Sequence, residues 1–465
     1  MDQIAAVANS FFDIAGTGLG FPPPGLQADG TVVPYDLYLV RLPEPVYGFT
    51  IPSIAAAEPS AESPPGYLVI DPGESHGRKN LRGIVAHQLA HAALFRFSSL
   101  MPAWWQEASA VWLEREITQD LAGYRSSLAE RLRNPHLSLA SDSLQLMQGA
   151  FLWPQYLVES TGNPFLIRNL WEEAALHQEV SPRVLTDLVL DRLNGGSFQE
   201  SFLGFGLWNL YTGKRDDGNH YRYGSHFPDP APPSQYDSYP AVARWEDTTV
   251  ERLGTRLLSL EADTLRGGLE FHFFGEEGTP WQVAALVQSP GSPSQIFFQE
   301  VALDSRNQGT LRVPWDDAER VILVIQNLDP GPGLEHRIGF TSLLNPHYPF
   351  VLSGFGARGE NGQIVLEWSS TREQDLLGWN IYRSGDPVRG FSRVNILLLP
   401  GGGDSRETTN YLFVDNDANP GRHYFYYLEG ITLEGYSQRS HIVGGRSLPA
   451  RESRSPRPLN SQPLF

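Results

Sequence analysis

The spacing of hydrophobic and polar residues changes along the chain, and these changes predict how the chain is divided into domains. Alternating apolar positions predict short strands over residues 35–42 and 66–72. Apolar residues then recur every three or four positions, which predicts helices over residues 81–97 and 104–119. The same period predicts further helices over residues 123–133, 143–160, 163–177 and 182–193. Strands followed by a run of helices are typical of an α+β domain.

From about residue 245 the helical period gives way to short apolar runs. Five strands are predicted between residues 269 and 327, in the segments LEFHFFG, WQVAALVQ, SQIFFQEV, TLRVPW and RVILVIQN. Turn residues separate these segments, and this spacing indicates a β-sandwich. Further strands are predicted in GQIVLEW, GWNIYRS and RHYFYYLEGIT, and residues 353–443 resemble a fibronectin type III domain. Residues 448–465 are rich in Pro, Ser and Arg and are predicted to be disordered.

Composition narrows the classes of protein that the chain can be. Its 465 residues carry 35 basic and 53 acidic side chains, a net charge of −18, which argues against a nucleic-acid surface or an anionic membrane as partner. There is no cysteine, so disulfides, thiol catalysis and thiolate metal sites are excluded. Any metal must therefore bind to His, Asp or Glu. No apolar stretch is long enough to predict a membrane span, and residues 1–20 make a poor signal peptide.

Two histidines and a glutamate form the candidate metal site. His87 and His91 lie four residues apart in a predicted helix, so both rings project from one face. Glu107 begins the next helix among apolar neighbours, and a helical hairpin would return its carboxylate to the same place. This set leaves a fourth position open, as catalytic zinc sites do. The histidine pair alone is equally compatible with hydrogen-bonded helix residues, and Glu107 favours the metal interpretation.

The sequence around these residues resembles the gluzincin-type zinc metallopeptidases. Their pattern is His-Glu-x-x-His with a downstream Glu-x-x-Ala, and here the segments are HQLAH and EASA. Over residues 35–223, the blocks YDLYLVRL, YGFT, YLVIDP, PAWWQEASAVWLE, GAFLWPQYLVESTG and WNLYTGKRDDGNHY are similar to a family of secreted bacterial metalloproteases first described from myxobacteria. The resemblance implies one zinc ion bound by His87, His91 and Glu107, and a secreted or cell-surface protein that acts on proteins or peptides.

One residue differs from the family pattern, at the position of the general base on which peptide hydrolysis depends. The family has a glutamate after the first histidine, and that glutamate takes a proton from the metal-activated water and returns it to the leaving amine. Here Gln88 stands at this position, and an amide cannot cycle a proton. Gln148 stands where relatives carry a tyrosine, and Tyr221 is a further candidate hydrogen-bond donor for the site.

We therefore predict three domains and a tail. These are a gluzincin-like α+β domain (residues 1–244), a β-sandwich (245–347), a fibronectin type III-like domain (348–447) and the disordered segment 448–465. The leading hypothesis is a monomeric zinc-binding protein whose peptidase activity is lost or strongly impaired. One alternative is a metal-free peptide- or glycan-binding protein that uses the cleft and its tryptophans, and another is a slow but active metallopeptidase. A cytoplasmic location is the alternative to export.

Glu114 lies seven residues after Glu107, on the same face of the second predicted helix. Its carboxylate could support a histidine ligand through the second ring nitrogen, or it could belong to a solvated helix face. The sequence favours the solvated helix face.

Overall fold

The computed structural model describes residues 2–24, 35–44, 46–52, 66–73, 80–177, 180–243, 248–261, 268–288, 296–315, 318–330, 334–345, 349–360, 362–386, 390–433, 435, 437–440 and 442–447. Residues 55–65, whose Ala, Ser and Pro content predicts a loop, and the predicted tail over residues 448–465 lie outside these ranges.

The N-terminal part begins with a helix and a small mixed sheet. Helix α1 (Asp2–Phe11) continues into a π-helical segment at Phe12–Gly18. The sheet contains β1 (Asp36–Leu39), β2 (Gly48–Ile51) and β3 (Tyr67–Ile70). β3 is central, with β1 parallel and β2 antiparallel to it, so β2 forms one edge of the sheet among the described residues.

Eight further α-helices follow in the described part of the chain. They are α2 (Leu81–Phe95), α3 (Ala103–Thr118), α4 (Arg125–Arg133), α5 (Leu144–Gly149), α6 (Leu152–Thr161), α7 (Leu166–Leu176), α8 (Pro182–Asn194) and α9 (Phe198–Trp208). None of the described helices is long and apolar enough to cross a lipid bilayer.

The single helix predicted over residues 143–160 is two helices, α5 and α6. Pro154 explains the break, because a proline inside a helix has no N–H and its ring clashes with the carbonyl four residues earlier, here that of Ala150. Helix α6 begins at Leu152 instead, which places Pro154 in its first turn, where proline is tolerated.

Aromatic side chains fill the space between α6 and α9. Trp153 is fully buried, and its ring lies 5.4 Å from that of Phe198, 6.0 Å from Phe202 and 5.3 Å from Phe205. The ring of Tyr156 stacks on the other side at 5.8 Å. This cluster joins two helices that are far apart in the chain, so it stabilises the helical part as one unit.

Replacing Trp153 with alanine is expected to lower the free energy of unfolding of the helical part by about 3–5 kcal/mol, because the cavity left between four rings cannot close. Denaturant unfolding followed by circular dichroism measures the change. Leu176→Ala is the matched control, since Leu176 is 74% exposed, and it should change stability by less than about 0.5 kcal/mol. Equal effects of the two substitutions would contradict this account of the core.

The β part begins with two facing sheets. One has the strand order β10-β9-β12-β7-β4, and the other has β11-β8-β13-β5 with β6 paired to β13. The strands are β4 (Ser234–Tyr236), β5 (Ala241–Ala243), β6 (Thr249–Glu251), β7 (Thr255–Glu261), β8 (Gly268–Gly275), β9 (Trp281–Gln288), β10 (Ile296–Glu300), β11 (Gln308–Pro314), β12 (Arg320–Asn327) and β13 (Glu335–Asn345). All five strands predicted between residues 269 and 327 are present. β4 and β5 precede residue 245, yet they pair with β7 and β13.

The last part is a second β unit with its own apolar core, centred on Trp368, Trp379 and Tyr426. Its strands are β14 (Phe350–Glu360), β15 (Gln363–Ser384), β16 (Ser392–Arg393), β17 (Leu399–Ser405), β18 (Thr409–Asp415), β19 (His423–Thr432), β20 (Ser437–Arg439) and β21 (Val443–Arg446). The long strand β15 pairs with β14 and β18 along its first half and with β17 and β19 along its second half.

Helix α9 joins the helical part to the first β unit. Leu203 and Leu210 pack in one apolar cluster with Leu257 and Val324, which lie on β7 and β12. The buried Gln326 side chain donates a hydrogen bond of 2.7 Å to a backbone carbonyl of α9. The chain is thus a mixed helical and multi-sheet β protein, and the coarse class predicted from the sequence is confirmed.

Candidate metal centre

The α2–α3 hairpin positions the candidate metal ligands. The side chain of Asn80 caps α2 by accepting a 2.8 Å hydrogen bond from the Gly83 N–H, which fixes where the helix begins. Pro102 stands directly before α3, so the chain reverses over a short connection and the two helices run side by side. Glu107, one turn into α3, therefore lies opposite His87 and His91 in the middle of α2.

The three predicted ligands converge on one point. Their ligand atoms all lie within 4.8 Å of one another. The two Nε2 atoms of His87 and His91 are 3.2 Å apart, and the Glu107 carboxylate lies 3.3 Å from His91 Nε2 and 3.6 Å from His87 Nε2. Ligands about 2.0–2.2 Å from a tetrahedral ion lie roughly 3.3–3.5 Å apart, so the observed spacings fit such an ion. The prediction that this group can hold a metal ion is confirmed.

Glu114, on α3, supports one of the two histidine ligands, His87. Glu114 is 5% exposed, and its carboxylate lies 3.1 Å from His87 Nδ1. A hydrogen bond from Nδ1–H to this carboxylate leaves the lone pair of the other ring nitrogen, Nε2, directed towards the other ligands. The Tyr124 hydroxyl also donates to this carboxylate and lies 3.4 Å from His87 Nδ1. Burial, together with the charge of Glu114, raises the pKa of Tyr124 well above its usual value, so the phenol keeps its proton. The interpretation of Glu114 as part of a solvated helix face is wrong.

Gly83 allows this close approach of the two helices. A Cβ atom at Gly83 would lie only 2.8 Å from Glu114 Oε1. The absence of a side chain on α2 therefore leaves the space that the supporting carboxylate occupies.

Glu114→Gln is expected to weaken metal binding about 10–100-fold, because the amide no longer offers a charged acceptor to the ring N–H of His87. Competition with a chromophoric chelator measures the affinity. Glu116→Gln is the matched control on the same helix, since Glu116 contacts Arg222 on the surface and not the ligand group. An unchanged affinity in Glu114→Gln would contradict the supporting role.

A cleft of about 730 Å³ opens onto the three ligands. Strand β2 and residues of α2, α3, α4 and α5 line it, and both Gln88 and Gln148 lie on its surface. Gln148 accepts a 3.3 Å hydrogen bond from the Ser127 hydroxyl, on the side of the cleft formed by α4 and α5. The structure thus brings five of the six predicted site residues together.

Gln88 is held by the edge of the small sheet. The Thr50 hydroxyl, on β2, lies 2.8 Å from Gln88 Oε1 and 2.9 Å from the backbone carbonyl of the same residue, and its single proton is shared between these two acceptors. Gly48 makes room for this contact, because a Cβ there would lie 2.8 Å from the Val69 carbonyl and 3.3 Å from Gln88 Cγ. The residue at the position of the general base is therefore ordered by a specific partner.

Tyr221 lies away from this cleft. Its hydroxyl donates a 2.7 Å hydrogen bond to Asn209 Oδ1, and its ring packs against Trp208 and Phe227. Burial raises the pKa of Tyr221 well above its usual value. In this structure its side chain belongs to the packing between α9 and the loop that follows.

The metal-free hypothesis assigns ligand contact to Trp104, Trp105 and Trp112 of α3, and these side chains are buried as well. Trp105 and Trp112 are each 1% exposed and Trp104 is 7% exposed, and none of the three lines the cleft. Their rings pack in the core of the helical part, so they offer no surface to a peptide or glycan in this conformation.

Sequence reasoning missed two residues of the site, Thr50 and Tyr124. Thr50 contacts Gln88 across 38 positions of sequence, and no periodicity in the chain indicates that pairing. Tyr124 lies in a 3-10 turn at the start of the helix predicted over residues 123–133, and the helical period there does not indicate its contact with Glu114. Glu114 was accessible to sequence reasoning, because its spacing from Glu107 places both on one face of α3.

Comparisons with known proteins do not place the chain in a family. No family model matches it, and no curated protein matches it. Among solved structures, a fibronectin type III-like protein from Clostridium thermocellum shares 15% identity over 22% of this chain and 95% of its own, with a TM-score of 0.16.

Two other solved structures match smaller parts of their own chains. Pectate lyase Pel3 from Pectobacterium carotovorum is 21% identical over 24% of this chain and 28% of its own (TM-score 0.16). Tripeptidyl peptidase 2 is 13% identical over 46% of this chain and 18% of its own (TM-score 0.21). These scores are too low to support an argument about function.

Proposed function

We propose that the helical part of this protein is a gluzincin-like scaffold that binds one zinc ion and has lost most or all peptidase activity. The observation that carries the proposal is the convergence of His87, His91 and Glu107 on one cleft with Gln88 beside them. A thiol-free set of two imidazoles and one carboxylate suits zinc and leaves a position open for a ligand. The supporting contact from Glu114 to His87 is the kind that metal-binding histidines make.

Each residue of the site has a separate role in metal binding or catalysis. His87, His91 and Glu107 would hold the ion, which when bound supplies a Lewis acid that polarises a carbonyl group and acidifies water. Gln88 occupies the place of a proton acceptor, but its amide nitrogen has no basic lone pair and its oxygen is a very weak base. Loss of a general base typically lowers a rate by 10²–10⁴-fold. Gln148 and Ser127 supply polar groups on the opposite wall.

The cleft suits an extended peptide as ligand. Strand β2 forms one wall and has only β3 as a partner in its described sheet, so its outer backbone groups are available to a bound chain. The two β units would serve as spacers or adhesion surfaces of an exported monomer, with the helical part as the ligand-binding end.

The test uses full-length protein purified without added metal. We expect about one zinc ion per chain by elemental analysis and no detectable cleavage of casein. Protein without bound zinc that also fails to bind added zinc would contradict the metal site. Chelator-sensitive cleavage of casein at ordinary enzyme rates would contradict the loss of activity and favour a functional metallopeptidase.

A further inference from the structure

The connection between α4 and α5, residues 134–143, is anchored on the first β unit. It lies beside the turn of residues 252–254, which joins β6 to β7. Three backbone hydrogen bonds link the connection to this turn and its flanks; they run from the Leu139 N–H to Leu253, from the Glu251 N–H to His136 and from the Thr255 N–H to Pro135, at 3.1, 3.0 and 2.7 Å. The backbone of the connection is therefore paired with an element of another unit.

Glu251 adds a side-chain contact to this anchor. Its carboxylate accepts a 2.7 Å hydrogen bond from the backbone N–H of Ser138, a residue that is fully buried. A buried N–H that loses its acceptor costs free energy, so this carboxylate holds the connection where it lies. A Cβ atom at Gly254, in the turn, would overlap the His136 carbonyl oxygen, so the two backbones are in direct contact.

Arg131 joins the anchored connection to both helices. It lies on α4, is 4% exposed, and donates hydrogen bonds of 3.1 Å to the carbonyl of Leu137 in the connection and to that of Leu146 in α5. Burial lowers the pKa of Arg131 to about 10, and the negative charge of Glu251 opposes this shift. The guanidinium therefore keeps its proton at neutral pH and holds α4, the connection and α5 together.

Helices α4 and α5 form one wall of the cleft. Ser127, Leu144 and Gln148 of these helices line it. A Cβ atom at Gly149 would overlap the Ser127 carbonyl oxygen, so the two helices pack in backbone contact. The candidate metal ligands lie on α2 and α3 instead. The distance between this wall and the opposite one, formed by β2, therefore depends on where the α4–α5 connection is held.

We propose that the first β unit has a role beyond that of a spacer: it fixes the α4–α5 wall of the cleft through the β6–β7 turn, with Glu251 as the positioning residue. This inference rests on the proposed function for the use of the cleft as a ligand site. The position of the wall itself can be measured without metal or ligand. Substitutions at the turn should change the width of the cleft and leave zinc affinity unaltered.

The test measures the distance between the two walls in the full-length protein. The chain has no cysteine, so Phe49→Cys on β2 and Leu144→Cys on α5 provide the only attachment sites for nitroxide labels. Both positions line the cleft and are 39% and 54% exposed. Dipolar electron paramagnetic resonance should give one narrow distance distribution. In the same background, Glu251→Ala should broaden it about twofold, because the Ser138 N–H loses its acceptor and the connection opens locally.

Three further substitutions separate positioning from a general loss of stability. Glu335→Ala removes the same charge from the exposed residue that pairs with Glu251 in the sheet. Val283→Ala weakens the core of the same β unit, where Val283 is 1% exposed. Both should leave the distance distribution unchanged. Glu251→Gln keeps an oxygen acceptor for the Ser138 N–H and should retain the narrow distribution.

Hydrogen exchange tests the anchor without any substitution. The amide protons of Ser138 and Leu139 are donated to the first β unit, so they should exchange at least about 10²-fold more slowly than in an unstructured peptide. Glu251→Ala should accelerate exchange at Ser138 about 10–100-fold. Unprotected amides at both residues in the unsubstituted protein would overturn the proposal.

An unchanged distance distribution in Glu251→Ala, or equal broadening in Glu335→Ala or Val283→Ala, would also overturn it. Broadening in Glu251→Gln equal to that in Glu251→Ala would show that the hydrogen bond to Ser138 does not hold the wall, with the same consequence. Zinc affinity, measured on the same variants by chelator competition, should change less than about twofold. Protein that binds no zinc would contradict the proposed function, whereas the wall distances decide the role of the β unit.

Discussion

Gln88→Glu is expected to raise the rate of casein or peptide-library cleavage by about 10²–10⁴-fold over the unsubstituted protein. The substitution places a carboxylate on α2 directly between the two histidine ligands in sequence, on the wall of the cleft that opens onto the ligand group. A carboxylate there can take a proton from water and return it to a leaving amine, which the amide cannot do. The new activity should disappear with a metal chelator and return with zinc.

Gln148→Glu is the matched control for this gain of activity. It adds the same charge to the opposite wall of the same cleft, where the side chain contacts Ser127. It should leave the protein inactive, because a carboxylate there is not placed beside the ligand histidines. If Gln88→Glu binds zinc and remains inactive, elements of the catalytic machinery other than the base are missing, and the account of the lost activity is wrong.

His91→Ala is expected to lower zinc affinity by about 10³-fold. Structural zinc sites contribute roughly 10–16 kcal/mol in total, so one ligand of three accounts for about 4 kcal/mol. The loss also removes the stabilisation that zinc gives to the folded state, so added zinc should no longer raise the unfolding temperature. Competition with a chelator and thermal unfolding with and without zinc measure both effects.

His177→Ala is the matched control for the loss of affinity. His177 lies at the end of α7, where its ring contacts Glu173 and is 47% exposed. Its removal should change neither zinc affinity nor the response to zinc. Similar effects of the two substitutions would show that zinc binds elsewhere or nonspecifically.

The metal ligands could be predicted from the sequence because they depend on local geometry. Two histidines four residues apart share a helix face wherever the helix lies, and Glu107 lies early in the next helix, which returns beside the first after a short connection. The strands between residues 269 and 327 were predictable for a similar reason, since alternation and turn residues are local signals.

The contacts that define the wall around Gln88 depend on tertiary structure. Thr50 reaches Gln88 only because β2 lies at the edge of its sheet and packs on α2, and the pairing of β2 with β3 is set by segments distant in sequence. Tyr124 reaches Glu114 from the 3-10 turn before α4, and the helical period over residues 123–133 does not indicate this contact. For Tyr221 the sequence suggested a role that the fold does not provide. A tyrosine could donate a hydrogen bond in the site, but its hydroxyl donates to Asn209 instead.

Anomalous diffraction at the zinc absorption edge, from crystals of the full-length protein grown with zinc, tests the central claim most directly. We predict one strong anomalous peak about 2.0–2.2 Å from Nε2 of His87, Nε2 of His91 and a carboxylate oxygen of Glu107. An ordered helical hairpin with no anomalous peak at these three side chains, or with the zinc bound at other residues, would contradict the account.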